Sequence, residues 1–379
     1  MSSSASRSLA GLALAVLVTG CADPAADRVS LVGAAQPSST LLPTRPSHLT
    51  TAGPTRHPFP AATSLTDPTA TGTPLAATGE PRFFVSARGP LTHFADDSKT
   101  AAFTPVPPAV HDAETGAFVA NIPLPPGVAS SWHLVAAARD NRTFAVAGWT
   151  EPKDPAIRFF LVRLGEDGRP GKPMAVTQTD PDDFTAVHDL ALSADGTRLA
   201  YATPLIGGGA KISLLDVATG RRLDWTTMSH SLVYGLSWAP DGRSLAYVLG
   251  GRAVAVLDLA RLGAGAGGEA SRIVKDVAGT MPIESVAHTP DGSALVYASG
   301  HTVERVPVAG GPSQVLARPE PPPGASLSLR FSVDGTGRHL MYAHDWRAYR
   351  VDLTGGAVTS MPITVTERPN EGNSPRVAW

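Results

Sequence analysis

The feature that most constrains the fold is a short segment that recurs along the last three quarters of the chain. Each copy has an apolar run, an Asp-Gly or Asp-Asn pair, two or three polar residues and a second apolar run. Gly and Asn tolerate positive φ, and an Asp side chain can bond the backbone two residues further on, so each copy predicts two strands joined by a tight turn. The copies are LSADGTRLAYAT from Leu192, WAPDGRSLAY from Trp238, HTPDGSALVY from His288, FSVDGTGRHLMY from Phe331 and the weaker AARDNRTFAV from Ala137.

The spacing of the copies predicts the architecture. A second signature, an Asp after an apolar strand with a Gly shortly after it, recurs as HDAETG from His111, LDVATG from Leu215, LDLARLG from Leu257 and VDLTGG from Val351. This signature suits the turn between the third and the fourth strand of a repeat. Repeats of this length built only from strands predict an all-β fold, a single β-propeller with one four-stranded sheet per repeat. The turn aspartates recur 43 to 55 residues apart, at Asp140, Asp195, Asp241, Asp291 and Asp334.

Counting back from each turn aspartate aligns the innermost strands. The position five residues earlier is bulky and apolar, and the position four residues earlier is small in every copy except the last. This alternation suits neighbouring sheets packed face to face. The bulky set is Val135, Leu190, Leu236, Val286 and Leu329, and the other set is Ala136, Ala191, Ser237, Ala287 and Arg330.

The last five residues, PRVAW, continue the same pattern without a following turn. They predict one more innermost strand, in which Val377 and Ala378 take the bulky and the small position and Trp379 is in register with Trp238. The other three strands of that blade would come from 82–122, so the two ends of the domain would pair in one blade. The sequence therefore predicts six blades, with seven as the alternative if 89–107 contains further strands.

The N-terminal segment predicts export and a tether. The apolar run from Leu9 to Leu17 is preceded by Arg7, and it is too short to span a bilayer, which needs about 20 apolar residues. VTGC resembles a bacterial lipobox, which implies cleavage after Gly20 and acylation of Cys21, the only cysteine. Ordinary secretion with loss of Cys21 is the alternative. The predicted domains are a lipoprotein signal peptide (1–20), a disordered tether rich in Pro, Ser, Thr and Ala (21–80) and the propeller (81–379).

Charge and motif content exclude several functional classes. The formal net charge is -2, without a basic stripe, so nucleic acid is not an expected partner. The lone cysteine forms no intramolecular disulfide. No G-x-S-x-G, H-E-x-x-H or phosphate-loop motif occurs, so no catalytic residue, metal ligand or cofactor is assigned. We expect a monomer.

The hairpin copies, S/A-x-D-G-x-x-L-A-Y, resemble the repeats of TolB-type and WD-repeat propellers. The segment from Pro81 to Trp379 as a whole resembles secreted lipoprotein propellers of actinobacteria. The departures are Asn141 in place of Gly, an inserted Gly337, and the lack of the repeating His and Trp-Asp pairs of a strict WD repeat. These departures favour the TolB-type comparison, which implies a protein-binding or scaffold role by analogy.

Propellers bind ligands where the central channel opens, at the starts of the innermost strands. Histidines and a glutamate at equivalent positions there would suit a metal site, an acid and base set, or a solvated polar lining without a shared ligand. Arg330 is expected to pair with Glu284 or with one of two aspartates at 182 and 183, or to extend from the end of its strand. The candidate binding residues are Trp132, His133, Asp182, Asp183, His188, Asp189, His230, Tyr234, Glu284, Arg330 and Asn373.

These observations favour a lipid-anchored binding module on the extracytoplasmic face of the cell membrane. Its ligand would be a protein, a peptide or a glycan. The alternative is a propeller enzyme of the lactonase, lyase or peptidase type that uses the channel histidines and Glu284 with a metal. A sensor or assembly scaffold within an envelope complex is a third hypothesis.

Overall fold

The computed structural model describes fourteen parts of the chain, and they form six four-stranded antiparallel sheets. The predicted signal peptide, Cys21 and nearly all of the predicted tether lie outside the described residues. Every hydrogen-bonded neighbour in these sheets is antiparallel, so the all-β prediction is confirmed. The described residues are 79–87, 107–125, 128, 134–149, 157–177, 187–205, 208–227, 231–263, 267–277, 282–300, 302–319, 330–344, 347–363 and 375–379.

The strands are numbered in chain order. They are β1 (Phe83–Ala87), β2 (Ala109–Asp112), β3 (Phe118–Asn121), β4 (Leu134–Ala137), β5 (Thr143–Trp149), β6 (Ile157–Arg163), β7 (Met174–Ala175), β8 (Asp189–Leu192), β9 (Arg198–Pro204), β10 (Ala210–Asp216), β11 (Arg222–Thr226), β12 (Val233–Trp238), β13 (Ser244–Leu249), β14 (Ala253–Asp258), β15 (Ser271–Asp276), β16 (Ile283–His288), β17 (Ala294–Ser299), β18 (Thr302–Pro307), β19 (Gln314–Ala317), β20 (Phe331–Val333), β21 (His339–His344), β22 (Arg347–Asp352), β23 (Val358–Pro362) and β24 (Arg376–Ala378). A short helix, α1 (Leu259–Gly263), and a 3-10 turn (Gly267–Ala270) connect β14 to β15.

The sheets form the blades of a propeller. Blade 1 consists of β24, β1, β2 and β3, and blades 2 to 6 each take four consecutive strands, from β4–β7 to β20–β23. The innermost strands contact one another in the cyclic order β24, β4, β8, β12, β16, β20 and back to β24. Within the described ranges, six blades therefore close into a ring, as the spacing of the repeats predicted.

Blade 1 contains both ends of the domain. The C-terminal strand β24 pairs with β1 through Val85 and Ala378, Ser86 and Val377, and Ala87 and Arg376. The prediction that PRVAW supplies the innermost strand of the blade that contains 82–122 is confirmed.

Packing between blades holds the ring together. The described core falls into six clusters, and each is shared by two neighbouring blades. The cluster between blades 3 and 4 contains Trp238, and the cluster between blades 6 and 1 contains Trp379, which is 2% exposed. Each blade therefore depends on both neighbours for burial of its apolar faces.

The repeated Asp-Gly pairs are turns. The carboxylates of Asp195, Asp241 and Asp291 each accept a hydrogen bond from the backbone N–H two residues further on, at 3.1, 2.9 and 3.1 Å. The glycine that follows each of them has a φ of 67 to 73°, and Asn141 takes the same place in blade 2 with a φ of 53°. These aspartates fix the hairpins, as expected from the sequence.

The sixth copy is displaced from its predicted alignment. Phe331 pairs with Tyr342 as Val286 pairs with Tyr297 in blade 5, so Phe331 occupies the bulky position that the sequence assigned to Leu329. Ser332 accordingly occupies the small position, and Arg330 does not. The prediction for this copy is wrong by two residues.

The turn itself explains the displacement. Gly337 has a φ of 71° and donates its N–H to the Asp334 carbonyl at 3.0 Å, a bond that Gly292 makes to Thr289 at 2.8 Å in blade 5. Gly337 is therefore the turn glycine and not an insertion, and Thr336 takes the place of the turn aspartate. Asp334 is instead buried, and its carboxylate contacts the His339 Nδ1 at 3.1 Å.

We expect Gly337→Ala to be more destabilising than Gly196→Ala. Both glycines have left-handed φ values, 71° and 73°, so each alanine costs about 1 kcal/mol of backbone strain. A Cβ at 337 would also lie 2.6 Å from the Pro290 Cγ, whereas a Cβ at 196 would lie 3.6 Å from the Thr143 Cγ2. That overlap should cost a further ~1–3 kcal/mol. Urea unfolding of both variants measures the difference. Equal losses would contradict the close approach to Pro290, and a negligible loss in Gly337→Ala would contradict the revised alignment.

No helix within the described ranges is long and apolar enough to cross a bilayer.

Candidate functional site

Six equivalent positions at the starts of the innermost strands form one layer around the channel. The strand registers place them directly before the bulky position of each blade. Three of the six side chains are charged, and two of the others, glycine and serine, are small. We call this set the charged layer; it consists of Leu134, Asp189, Gly235, Ser285, Arg330 and Arg376.

An ion pair crosses the channel within this layer. The Arg376 Nη1 donates to the Asp189 Oδ1 at 2.8 Å, and its Nη2 donates to the His188 carbonyl at 2.7 Å. Both side chains of the ion pair are mostly buried, with 11% and 13% exposure. Because β4 lies between β24 and β8 in the ring, this contact joins blade 1 directly to blade 3.

Asp189 also connects blades 3 and 4. Its Oδ2 accepts the Leu236 N–H at 2.9 Å, and its Oδ1 accepts the Leu190 N–H at 3.0 Å. Burial raises the pKa of the Asp189 carboxyl, while the Arg330 charge and backbone N–H donors act in the opposite direction. The Arg376 guanidinium adds to the groups that stabilise the carboxylate.

An aromatic stack lies next to the charged layer. The rings of His188 and Tyr234 are nearly parallel, 5.9 Å apart and inclined by 6°. The Arg330 guanidinium carbon lies 5.8 Å from the centre of the Tyr234 ring, within the range of a cation–π contact. Burial, followed by the Arg330 charge, lowers the pKa of His188, and the Asp189 charge opposes that effect. Burial and the Arg330 charge therefore both favour the neutral imidazole.

Two cavities adjoin this cluster. The central channel has a volume of about 200 Å³ and is lined by every residue of the charged layer except Leu134 and by the strand residues beyond it. The second cavity, which we call the recess, has a volume of about 440 Å³. Arg330 lines both cavities. The remaining residues of the recess are Ser231, Leu232, Tyr234, Gly250, Gly251, Pro282 and Ile283.

The structure brings together four of the predicted binding residues, His188, Asp189, Tyr234 and Arg330. Glu284 lies in β16, but its side chain is outside the described residues, so its predicted pairing with Arg330 remains a prediction. The remaining candidates also lie outside the described residues; they are Trp132, His133, Asp182, Asp183, His230 and Asn373.

Arg376 was not among the predicted site residues. The sequence identified its segment as a strand, and the pairings of β24 with β1 and of β8 with β9 show that Arg376 and Asp189 occupy equivalent positions in their blades. Arg376 lies one residue before the bulky position when PRVAW is aligned with the other innermost strands. That alignment would have indicated Arg376 as a site residue.

One serine and histidine pair has the spacing of a nucleophile and its base. The Ser86 Oγ and the His111 Nε2 are 2.8 Å apart, and burial lowers the pKa of His111 to about 4. The His111 ring is fully buried and stacks on Phe84 at 4.9 Å. The pair lies within the packed face of blade 1, where it links β1 to β2.

Within the described ranges, no group of three or more His, Cys, Asp or Glu side chains is placed to hold a metal ion.

No protein-family model matches the chain, and no curated protein matches it. Solved structures, in contrast, do match the chain. TolB from Acinetobacter baumannii is 17% identical, with 79% of this chain and 67% of TolB covered and a TM-score of 0.48. The gluconolactonase PpgL of Pseudomonas aeruginosa is 16% identical, with 75% and 84% covered and a TM-score of 0.46.

A chain of a nidogen/laminin complex has a TM-score of 0.51, with 12% identity and coverage of 78% of this chain and 97% of that one. The similarity is one of fold. It supports the β-propeller architecture and carries no residue of the site across, because fold alone does not determine function.

Proposed function

We propose that this protein is a binding module of the cell envelope that receives a protein, peptide or glycan partner at the channel opening near His188, Tyr234 and Arg330. The recess carries the proposal. It combines apolar walls, an aromatic ring and a guanidinium group in one concave surface, which is the usual composition of a site that accepts an anchoring group from a partner.

The polar groups of the opening support binding rather than chemistry. Asp189 accepts hydrogen bonds from Arg376 and from the Leu236 N–H, and the His188 ring stacks on Tyr234. These contacts hold the innermost strands of three blades, 1, 3 and 4, in fixed positions. A rigid opening favours recognition because little side-chain entropy is lost on binding.

The N-terminal segment supports an extracytoplasmic position for this module. An acylated Cys21 would hold the chain at the membrane, and a tether over 21–80 rich in Pro, Ser and Thr would separate the propeller from the surface. One lipid chain binds a membrane only weakly, so stable anchoring needs more than one. Fatty-acid labelling of the full chain should be lost in Cys21→Ser, and labelling that persists in this variant would contradict the anchor.

Site-specific photocrosslinking tests the binding role. A photoreactive residue in place of Tyr234 should form a defined adduct in the cells that produce the protein. The matched control is the same residue in place of Met174, which is 63% exposed on the outermost strand β7. An adduct pattern at 234 no stronger than at 174 would contradict a partner at the channel opening.

A further inference from the structure

We propose that His288 makes the contact between blades 4 and 5 acid-sensitive, so that acidification opens the side of the ring that contains the recess. This inference rests on the proposed binding function and specifies how occupancy of the recess is regulated. A buried imidazole in a layer of apolar side chains carries it.

His288 belongs to a layer of six equivalent residues at the ends of the innermost strands. It pairs with Leu295 as Trp238 pairs with Leu245 in blade 4. All six positions are described, and the other five side chains are apolar and pack in the cluster between their own blade and the preceding one. His288 is therefore the one ionisable side chain of this layer. The five apolar members are Ala137, Leu192, Trp238, Val333 and Trp379.

The surroundings of His288 place it where blades 4 and 5 meet. Its backbone N–H donates to the Ser237 Oγ of β12 at 3.0 Å. The charge of Asp241, in the turn after β12, acts on its ring. Both of these residues belong to blade 4, whereas His288 ends β16 of blade 5. The position that holds a tryptophan between blades 3 and 4 thus holds a histidine between blades 4 and 5.

The imidazole is buried without hydrogen bonds to its ring. His288 is 8% exposed, and within the described ranges neither its Nδ1 nor its Nε2 has a hydrogen-bond partner. An imidazolium has two N–H donors, and a buried charge without partners costs far more free energy than a buried neutral ring. Burial accordingly lowers the pKa of His288 to about 4, against the opposing effects of the Ser237 backbone and the Asp241 charge.

Few charged groups are placed to stabilise a protonated His288. The strands in closest contact with β16 are β12, β13, β17 and β20, and tyrosines are their only titratable side chains. Burial raises the pKa of Tyr247 and of Tyr297 to about 12. Among the charged residues in β16 and at the ends of these strands, Asp241 is the one that acts on the pKa of His288. Those residues are Asp241, Arg243, Glu284, Asp291, Arg330 and Asp334.

The sign of the pH effect follows from the burial of the ring. In an unfolded chain a histidine titrates near pH 6.5, so between about pH 6.5 and 4 a form that exposes His288 binds a proton that the closed ring does not. The stability of the closed ring is therefore fully present above pH 6.5 and is lost as the pH falls towards 4. Between pH 7 and 5 this one side chain should increase the ratio of open to closed forms by about 20-fold.

The recess lies at the same contact between blades. Tyr234 of β12 and Ile283 of β16 both line it, and Ile283 begins the strand that His288 ends. Separation of β16 from β12 would move the two walls of the recess apart. A partner held between these walls would then lose affinity in acid.

Urea unfolding of the full chain at pH 7 and pH 5 measures the role of His288. His288→Leu, which introduces the residue type found at position 192, should reduce the acid-induced increase in the unfolding constant by about tenfold. His288→Met tests the same point if the leucine variant does not fold. The matched control is His344→Leu at the end of β21, where the side chain is partly exposed, and its pH dependence should equal that of the parent chain.

Hydrogen exchange followed by mass spectrometry locates the opening. After correction for the intrinsic exchange rate, amides of β13 and β16 should exchange faster at pH 5 than at pH 7 in the parent chain and not in His288→Leu. Amides of β9 are the reference, because blade 3 packs on blade 2 through Leu192 and not through a histidine. Equal acceleration in β9 and β16 would contradict a local opening, and an unchanged pH dependence of unfolding in both His288 variants would overturn the proposal.

The crosslinking experiment at Tyr234 separates this regulation from the binding function. Repeated at pH 7 and pH 5, it should give a weaker adduct at pH 5 in the parent chain and equal adducts in His288→Leu. Equal adducts at both pH values in the parent chain would remove the regulation and leave the binding role. Local opening in acid without an adduct at either pH would remove the binding role and leave the acid-sensitive contact.

Discussion

Deletion of Arg376–Trp379 should unfold the domain under conditions in which the full chain is folded. Three of the four deleted side chains are buried to more than nine tenths, and Trp379 fills the cluster between blades 6 and 1. Loss of a buried tryptophan alone costs about 3–5 kcal/mol. The deletion also removes the innermost strand of blade 1, and total stabilities of domains are only about 5–15 kcal/mol. Thermal and urea unfolding, followed by circular dichroism, measure the effect.

The control for the deletion is Met174→Ala, because Met174 is largely exposed on β7. We expect this variant to melt within a few degrees of the parent chain. A synthetic peptide with the sequence of the last five residues should restore stability to the truncated chain in a concentration-dependent way, because it binds only the folded ring. A truncated chain that melts like the parent would refute closure by pairing of the two ends.

Replacement of Asp189 with alanine should cost about 3–5 kcal/mol, because it leaves the buried Arg376 guanidinium without its partner. It also removes the acceptor of the Leu236 N–H, 2.9 Å from the carboxylate. The matched control is Asp224→Ala. Asp224 contacts the Arg222 Nε at 3.1 Å in a pair that is more exposed, with 34% exposure of the aspartate, and such pairs contribute about 1 kcal/mol or less.

A double-mutant cycle shows whether the stability lost on replacing Asp189 comes from its interaction with Arg376. Arg376→Met removes the charge and keeps an apolar stem of similar length, so the loss in Asp189→Leu combined with Arg376→Met should be much smaller than the sum of the losses in Asp189→Leu and Arg376→Met alone. Additive losses in the cycle would mean that the two side chains act independently, and the cross-channel connection between blades 1 and 3 would then be energetically unimportant.

The sequence was sufficient for the architecture because every blade repeats the same local chemistry. An Asp that bonds the backbone two residues later and a Gly with positive φ define a hairpin without reference to the rest of the chain. The sixth copy was misaligned because FSVDGTGRHLMY contains two glycines. Only the structure shows that Gly337 adopts the left-handed conformation and that Asp334 is buried against His339.

The residues of the candidate site that are defined by their position in a strand could be predicted from the sequence. The contacts that depend on how far a side chain extends across the channel could not. His188 and Tyr234 were identified because they lie near the start of innermost strands. Arg330 was identified because it interrupts the set of small residues, in an alignment that the structure corrects by two residues. The contact between Arg376 and Asp189 joins strands that are not neighbours in the ring. It depends on the length of one side chain and the width of the channel, and neither quantity is encoded in a local pattern.

The pairing of β24 with β1 also determines when the domain can form during synthesis. The strand that completes the first blade, β24, follows all the other described strands in the chain, so no fragment that ends before it contains the contacts that close the ring. Pairings between distant segments form slowly, because the entropy of closing a long loop is lost before the contacts are gained. A nascent chain of this protein should therefore remain incompletely folded until β24 has been synthesised.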